Sequence, residues 1–550
     1  MNNLEEKLKQ IITGDVESDD NSKEFYSHDA SMFELVPEFI VFPKDLVDIQ
    51  TLVKFVSQNK HNLPSLSLTA RSAGTDMSGA AINDSIIIDF TRYINKIGTV
   101  TKDYAEVQPG VYYRDFETAT MKHGAIMPSF PASKDLCAIG GIVSNNSGGE
   151  KSLQYGKTER FVNELSVVFA DGNEYLVKAL NKNELDKKIA QKDYEGEIYR
   201  KTFELVEANY DAIKLAQPKV SKDSTGYHLW NVWDRETGMF DLNQLIIGSQ
   251  GTLGLITNVN FKLVKAPKYS GTLVVFLRDI DDLGILIEKV LEHNPATFEG
   301  FDNHTLMLSF KLFFYFHKTL GWWQTIKLAI QLIPDALMLF RGIPKMVLLV
   351  EFNGHSDEDV AQKVHTMRQD LKLFKHEALF EEDENEAKAK KFWIMRRLSF
   401  QILRKKVKDK HTAPFMDDLI VPPHVLPKFL PEVRAIIKKY KLLATIAGHM
   451  GDGNFHIIPL MKIEDPKERA KLEPAMKEIT ALVLKYNGSL SGEHNDGMIR
   501  GPWLTAMYGP ETVALFKQVK HIFDPKNIFN PHKKTDSDWA YSMKHLRKHF

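Results

Sequence analysis

The sequence has only one cysteine, Cys137, among its 550 residues. A single thiol excludes a disulfide bond within the chain, a cysteine-rich zinc site and a four-thiolate iron–sulfur cluster built from this chain alone. An excess of one charge is also absent, because 71 lysine and arginine residues balance 72 aspartate and glutamate residues. We therefore predict that nucleic acid is not a partner, since such ligands are bound through a basic surface.

The N-terminus lacks the pattern of a signal peptide. Glu5 and Glu6 stand where a signal peptide would have a basic run followed by an apolar core. We expect a cytoplasmic protein.

The remaining composition is that of a globular protein, and the length suggests about two to four domains. Strands and helices alternate from about residue 39. Continuous apolar runs at 85–90 and 165–170 predict buried strands, and residues 46–58 have helical periodicity. The predicted fold class is α+β.

Three segments of the first half are rich in glycine and other small residues. Such loops bring backbone N–H groups close to a phosphate or pyrophosphate. The first contains Arg71, Ser72, Ala73, Gly74, Thr75, Asp76 and Ser78. The second contains Pro131, Ser133, Gly140, Gly141, Asn145, Ser147, Gly148, Gly149, Tyr155 and Gly156. The third contains Gly251, Gly254 and Ile256. None of them has the strand–GxGxxG–helix pattern of a Rossmann dinucleotide site, which disfavours a nicotinamide enzyme.

A second group of residues lies near the C-terminus. His449 and His456 flank a Gly-Asp-Gly turn, so the two histidines are predicted to converge from the arms of a hairpin. Glu493 and His494 follow. Two imidazoles and one carboxylate form a suitable ligand set for a divalent metal such as Zn²⁺, Mn²⁺ or Fe²⁺, with one position open to substrate. For any one of these histidines alone, a structural role would be the simpler interpretation.

Residues 306–340 are unusually apolar, and they include Trp322 and Trp323 among interspersed lysines. Gly321, Pro334 and the charges argue against a spanning helix of about 20 apolar residues. One interpretation is a pair of amphipathic helices on the inner face of a membrane or on a partner. The other is a helical pair that covers the sheet of a second domain.

In order and spacing, the three glycine-rich segments resemble the FAD-binding domain of the vanillyl-alcohol oxidase superfamily, also called the PCMH-type domain. The resemblance covers about residues 35–265 and implies that the three segments, together with Asn530, bind FAD. Relatives with covalent flavin have a histidine at the position of Thr75. The threonine here implies non-covalent FAD.

The C-terminal motifs resemble the glycolate oxidase subunit and D-lactate dehydrogenase branch of the same superfamily. This resemblance implies His449, His456 and Glu493 as metal ligands and His494 as the base. It also implies Arg396, in a Trp-x-x-Arg pattern, as the clamp for the substrate carboxylate. Arg396 lies in a basic run, so an exposed structural role is the alternative.

Two departures from this branch limit the resemblance. Asn495 stands where glycine is usual. Met416 stands where some 2-hydroxyglutarate-type relatives have a lysine, which weakens the case for a dicarboxylate substrate. Residues 491–531 look most like members with a fused iron–sulfur domain, so the resemblance implies a quinone or a separate iron–sulfur or other carrier protein as electron acceptor.

The resemblance also implies a division of the chain into four parts. These are an N-terminal helical extension (1–34), an FAD-binding domain of two subdomains (35–268), a substrate-binding cap (269–490) and a C-terminal segment that returns to the flavin (491–550). The expected activity is FAD-dependent oxidation of a small 2-hydroxy acid, such as D-lactate or glycolate. The alternatives are a redox-neutral flavin transferase like the alkyl-dihydroxyacetonephosphate synthases and a non-catalytic flavin-bound scaffold.

Overall fold

The structure, a computed structural model, describes residues 2–303, 305–307, 321–327, 343–374, 378–383, 392–393 and 409–548. Three large β-sheets and the helices packed on them organise these residues. The helices of the first half are Asn2–Ile11, Asp20–Tyr26, Leu46–Asn59, Tyr113–Met121, Ile139–Asn145, Ser152–Tyr155, Lys182–Ala190, Tyr194–Ala208, Tyr210–Ala216 and Asn243–Ile246. Those of the second half are Leu283–Glu292, Asp357–Asp370, Leu426–Lys439, Pro466–Arg469, Leu472–Lys485, Leu504–Phe523 and Trp539–Lys544.

The first sheet has four strands. They are β1 (Asp15–Glu17), β2 (Phe39–Phe42), β3 (Leu68–Arg71) and β4 (Ile86–Asp89), in the order β1–β2–β4–β3. β4 lies parallel to both β2 and β3, and every residue of β2 and β4 is buried, as continuous apolar runs predict. The adjacent helix begins at Asp45, whose carboxylate accepts a hydrogen bond from the backbone N–H of Asp48. The predicted helix at 46–58 is confirmed.

The second sheet has seven strands and is antiparallel. They are β5 (Ile97–Val100), β6 (Tyr104–Val107), β8 (Val162–Val168), β9 (Glu174–Leu180), β10 (Trp233–Asp234), β11 (Met239–Asp241) and β12 (Leu255–Lys262). Their order is β10–β11–β9–β8–β12–β6–β5, and a separate pair joins β7 (Ala125–Ile126) to β13 (Val264–Lys265). β8 and β9 form a hairpin whose turn has Gly172 at φ 78°. The strand predicted from the apolar run at 165–170 is confirmed.

The third sheet belongs to the second half of the chain. Its strands are β14 (Tyr269–Leu277), β15 (Thr297–Asp302), β16 (Met346–Gly354), β17 (Ala378–Asp383), β18 (His411–Thr412), β19 (Leu419–Ile420), β20 (Leu443–His449) and β21 (Asn454–Met461). The main order is β17–β14–β16–β15–β20–β21–β18, with β19 paired to β21. The central position of β15 and β20 brings residues of distant segments together.

The C-terminal segment folds back onto the first half of the chain. The backbone N–H of Asn530 donates to the carbonyl of Leu68 (2.8 Å), and the N–H of Leu68 donates to the carbonyl of Ile528 (2.8 Å). Lys520 donates to the carbonyl of Thr252 (2.8 Å). The two glycine-rich segments that follow β3 and precede β12 therefore lie against the end of the chain.

Most of the apolar stretch 306–340 lies outside the described residues. Within it, residues 322–327 are helical, with Trp322 60% and Trp323 87% exposed. Among the described residues, no helix combines the length and the apolar character needed to cross a membrane.

Candidate active site

A cavity of about 420 Å³ connects the glycine-rich segments to the C-terminal histidine motifs. The first segment contributes residues 72–77, and the third contributes Gly251, Gly254 and Ile256. The second contributes Pro131, Ser133, Gly140, Gly141, Asn145 and Ser147. At the other end the lining includes His456, Glu493 and His494. Both predicted sites are thus parts of one space, whose volume is typical of a ligand pocket.

Arg71 supports the first segment from behind instead of lining the cavity. Its guanidinium donates to the carbonyls of His28 (2.9 Å) and Ala81 (3.3 Å) and lies over the ring of Tyr26. Gly74 has φ 66° and lies against this guanidinium, so a side chain at position 74 would be strained and would clash. The buried arginine therefore fixes the path of the loop.

The second segment provides the clearest cradle for a cofactor. A Cβ atom on Gly140 would lie 2.7 Å from Ser72 Oγ, so this glycine lets the helix Ile139–Asn145 approach the first segment closely. A Cβ atom on Gly141 would meet nothing within 4 Å, although Gly141 lines the cavity. The space in front of Gly141 is therefore open to a ligand, and the cradle fits FAD.

Side-chain amides join the three segments to each other. Asn145 Nδ2 donates to Asp76 Oδ1 (3.0 Å), and Gln250 Nε2 donates to Asn145 Oδ1 (3.0 Å) and to Ser78 Oγ (2.9 Å). Asn530 Nδ2 donates to the carbonyl of Gln250 (2.7 Å). Gln250 is at the centre of this network and lines the cavity, although the glycine pattern around it predicts no role for this residue.

Seven of the residues predicted to bind flavin are not among those that line the cavity. They are Arg71, Ser78, Gly148, Gly149, Tyr155, Gly156 and Asn530. Gly149 donates its N–H to Ser152 Oγ (2.7 Å), and a side chain there would meet the carbonyl of Phe130. Gly149 therefore serves close backbone packing, which the sequence pattern cannot distinguish from ligand contact.

The predicted convergence of the two histidines is confirmed. β20 and β21 pair antiparallel, with Ala447 opposite His456 and His449 opposite Asn454. His449 Nε2 lies 3.3 Å from His456 Nε2 and 3.1 Å from Glu493 Oε1. Ligands held about 2.1 Å from a tetrahedral ion lie roughly 3.4 Å from one another, so these three donor atoms have a suitable spacing and chemistry for a divalent metal.

Two buried carboxylates hold the histidine rings from behind. Glu299 Oε1 contacts His449 Nδ1 across the β15–β20 pair. Asp417 contacts His456 Nδ1 (3.2 Å) through Oδ1 and His494 Nδ1 (2.8 Å) through Oδ2. The sequence motifs predict a role for neither carboxylate, although an acidic residue in the buried strand TFEGFD is itself a signal of function.

Asp418 also lies in the cluster, since ligand atoms of Asp418, His456, Glu493 and His494 come within 4.8 Å of one another. However, Asp418 Oδ2 accepts hydrogen bonds from the backbone N–H groups of Glu493 (2.8 Å) and His494 (2.7 Å). Asp418 therefore shapes the loop that presents these two residues. His449 has its Nε2 directed at Glu493 and is the better third ligand.

A buried lysine of the first half balances the negative charge. Lys222 forms an ion pair with Glu493 and lies 3.4 Å from Asp452. Burial alone would raise the pKa of Glu493, but the charges of His449 and Lys222 hold that pKa well below its usual range.

The pKa values of His494 and His449 are also shifted. Burial alone would lower the pKa of His494, but the carboxylates of Asp418 and Asp417 outweigh it and raise the pKa to about 9. Glu299 and Glu493 likewise outweigh burial and raise the pKa of His449 to about 9. Strong shifts of this kind are typical of functional sites.

At this end the cavity lining also includes three uncharged side chains, Thr445, Ala447 and Ile458. Met416 is fully buried. Arg396 lies outside the described residues, while Trp393 of the same motif is buried.

Two family models match the chain. The model for an FAD binding domain matches residues 37–177, and the model for the C-terminal domain of FAD linked oxidases matches residues 266–534. D-2-hydroxyglutarate dehydrogenase of Pseudomonas putida is 27% identical over 534 residues, which cover 96% of this chain and 51% of that protein. The chain thus spans about half the length of this relative. Glycolate oxidase subunit GlcD of Bacillus subtilis is 26% identical over 548 residues, with 96% of each chain covered.

Solved structures show the same fold. 4-Ethylphenol oxidase from Gulosibacter chungangensis matches with a TM-score of 0.68 and 14% identity, over 97% of this chain and 96% of that one. p-Cresol methylhydroxylase matches with a TM-score of 0.66 and 14% identity, over 98% and 97% of the two chains. The expected α+β fold of the PCMH type is confirmed.

Proposed function

Because the chain belongs to the FAD-linked oxidases, with their FAD binding domain and their C-terminal domain, we propose that it oxidises a small 2-hydroxy acid to the 2-oxo acid. The observation that carries this proposal is the single cavity that joins the glycine-rich cradle to His456, Glu493 and His494. A substrate between these two ends would have its C2 atom next to both the flavin and a base.

The names of the relatives support a 2-hydroxy acid as substrate. D-2-hydroxyglutarate and glycolate differ in one substituent of C2. In both, a hydroxyl and a carboxylate are attached to C2, the carbon from which the hydride leaves. We propose a D-2-hydroxy acid with a small side chain, similar to D-lactate, because the cavity lining includes the uncharged side chains Thr445, Ala447 and Ile458.

FAD, when bound, supplies the acceptor for the hydride that leaves C2. His494 removes the proton of the 2-hydroxyl, and Arg396 holds the carboxylate so that C2 faces the flavin. His449, His456 and Glu493 would hold a divalent ion, whose charge lowers the pKa of a bound hydroxyl and of His494.

We propose that the cradle residues that line the cavity contact FAD, and that Thr75 leaves the cofactor non-covalent. Within the chain, residues 35–268 bind FAD, 269–490 cover the substrate and 491–550 close the flavin site, with 1–34 as an extension. Electrons pass on to a quinone or a separate carrier protein. Residues 306–340 make the peripheral contact with a membrane.

The test is anaerobic mixing of the purified, FAD-loaded protein with a panel of D- and L-2-hydroxy acids, monitored by flavin absorbance. We expect at least one small D-2-hydroxy acid to bleach the flavin, while His494→Gln keeps its FAD and reduces it at least about 100-fold more slowly. The proposal would be contradicted if dithionite reduced the flavin but none of the hydroxy acids did. It would favour a redox-neutral transferase or a scaffold.

A further inference from the structure

Asp417 touches both histidines that flank the reacting end of the cavity. Its two carboxylate oxygens serve different rings, Oδ1 at His456 Nδ1 (3.2 Å) and Oδ2 at His494 Nδ1 (2.8 Å). The two imidazoles lie nearly parallel, with centroids 5.0 Å apart and an angle of 17° between planes. One buried side chain therefore sets the orientation of two functional rings.

We propose that Asp417 is the positioning residue that aligns the metal ligand His456 with the base His494. The inference rests on the proposed function for the role of His494 as the base. The alignment of the two rings by Asp417 does not depend on that function.

The chemistry of a carboxylate explains the arrangement. An ionised carboxylate only accepts hydrogen bonds, so its contact with Nδ1 favours a hydrogen on that atom in each ring, and Nε2 lies on the far side of each ring. His456 Nε2 then points toward His449, and both rings line the cavity. Carboxylates that fix the tautomer of a ligand histidine are a general device of metal sites.

A buried arginine contacts the backbone around Asp417. The side chain of Asp417 is fully buried, and its carbonyl accepts a hydrogen bond of 2.9 Å from the guanidinium of Arg500. Arg500 also donates to the carbonyl of Asn495 (2.8 Å), which lies next to His494 in the chain. The same arginine thus fixes the anchor and the loop that carries the base.

The neighbouring Asp418 does not share this role, since its Oδ2 accepts from backbone N–H groups of the 491–495 loop. Glu299 provides the closest match, because it holds a single ring, His449, through Oε1. Asp417 and Glu299 therefore differ in whether the base is also anchored.

The test compares Asp417→Asn with Glu299→Gln in the FAD-loaded protein. An asparagine has one acceptor and one donor in place of two acceptors, so one of the two rings must lose its partner or turn. We expect both variants to bind Zn²⁺ about 10–100-fold more weakly in a chelator competition. Saturating Zn²⁺ should restore much of kcat in Glu299→Gln, whereas kcat of Asp417→Asn should stay at least about tenfold low with a smaller change in KM.

Two readouts keep the inference separate from its premise. FAD content and melting temperature report folding, and a crystal structure of Asp417→Asn reports ring orientation without metal or substrate. Unchanged orientations of His456 and His494 in that crystal structure, or wild-type Zn²⁺ affinity and kcat, would overturn the inference. Failure of every hydroxy acid to reduce the wild-type flavin would instead remove the proposed function, while displaced rings would still support the positioning role.

Discussion

Lys222 and Glu493 form a buried ion pair between residues 271 positions apart in the chain. Their side chains are only 2% and 4% exposed. The first half of the chain thus places a positive charge beside Glu493, one of the three proposed metal ligands. The same ammonium lies 3.4 Å from Asp452.

Replacing this ammonium should favour metal binding. In Lys222→Met, we expect affinity for Zn²⁺ to rise by at least about tenfold, because a nearby cation no longer competes for Glu493. The metal-free protein should lose about 3–5 kcal/mol of unfolding free energy, since two carboxylates remain buried without their partner. Calorimetric titration and urea unfolding measure the two effects.

The matched control is Lys520→Met, which removes another buried ammonium, paired with Asp524 at 2.6 Å. It should cost stability without changing Zn²⁺ affinity. An equal or lower affinity in Lys222→Met would mean that Lys222 supports the ligand set instead of competing with an ion.

Loss of a single histidine ligand should separate the metal from the flavin. His456→Ala removes one of the converging donor atoms but no contact within the glycine-rich cradle. We expect stoichiometric metal and turnover to be lost while FAD remains bound, as measured by mass spectrometry of metals and by flavin absorbance. Full turnover of a chelator-treated, metal-free wild-type sample would show that the oxidation needs no ion.

Substitutions at position 141 should show whether the glycine-rich cradle binds FAD. Gly141→Leu extends a side chain into the open space of the cavity, and we expect it to weaken FAD binding by at least about 100-fold. Gly141→Ala is the matched control, because a Cβ atom there meets nothing within 4 Å. Apoprotein reconstitution followed by fluorescence gives the affinity. Equal affinities for the two variants would place FAD elsewhere.

The sequence predicted the parts of the site that depend on local pattern. The Gly-Asp-Gly turn between His449 and His456 specifies a hairpin. It could be predicted because hydrophobic periodicity and turn residues are local properties of the sequence. Glu299 and Asp417 could not be assigned, because their roles depend on which strands become neighbours. Glu299 reaches His449 only through the β15–β20 pair.

The glycine pattern has a related limit. Gly141 and Gly149 look alike in the sequence, yet one faces the open cavity and the other packs against the backbone of Phe130. Glycine permits close approach of any group, so its presence alone does not identify what approaches. Lys222 gives no signal in the sequence at all, since its burial is a result of the contact between the two halves.

An ion pair separate from the proposed metal ligands should make the free energy of unfolding depend on pH. His228 Nδ1 lies 3.1 Å from Glu159 Oε2. Burial alone would raise the pKa of Glu159, but His228 holds it at about 2. Burial alone would lower the pKa of His228, but Asp223 and Glu159 raise it above its usual 6.5.

The signs of these shifts define a window. The contribution of Glu159 is present above its ordinary pKa of 4.5 and is lost as the pH falls toward 2. The contribution of His228 is complete below 6.5 and is lost as the pH rises through its folded pKa. Glu159→Gln should therefore lower the unfolding free energy by about 1.5–3 kcal/mol inside this window and by less on either side. Urea unfolding across pH measures this, with the exposed Glu478→Gln as control. A pH-independent difference would contradict it.

We predict that the apolar stretch 306–340 attaches the protein to a membrane surface. Trp322, Trp323 and Ile326 are 60%, 87% and 48% exposed on the helical residues 322–327, and Lys327 follows them. Tryptophan favours the headgroup level of a bilayer, and a lysine there can extend toward anionic lipid. The exposure of Trp323 favours this surface interpretation over a helical pair that covers the sheet.

We expect the intact protein to sediment with anionic vesicles at low salt and to be released at high salt, because a surface helix binds reversibly and through charge. Changing both Trp322 and Trp323 to Ala should reduce sedimentation at least about tenfold while FAD content and dye-coupled oxidation persist. Leu215→Ala, which alters an apolar side chain 79% exposed elsewhere, should have no effect on sedimentation. Sedimentation that is unchanged by the tryptophan substitutions would assign lipid binding to another surface. Absence of sedimentation at low salt would contradict lipid binding and leave a protein partner or a helical pair on the sheet as the remaining interpretations.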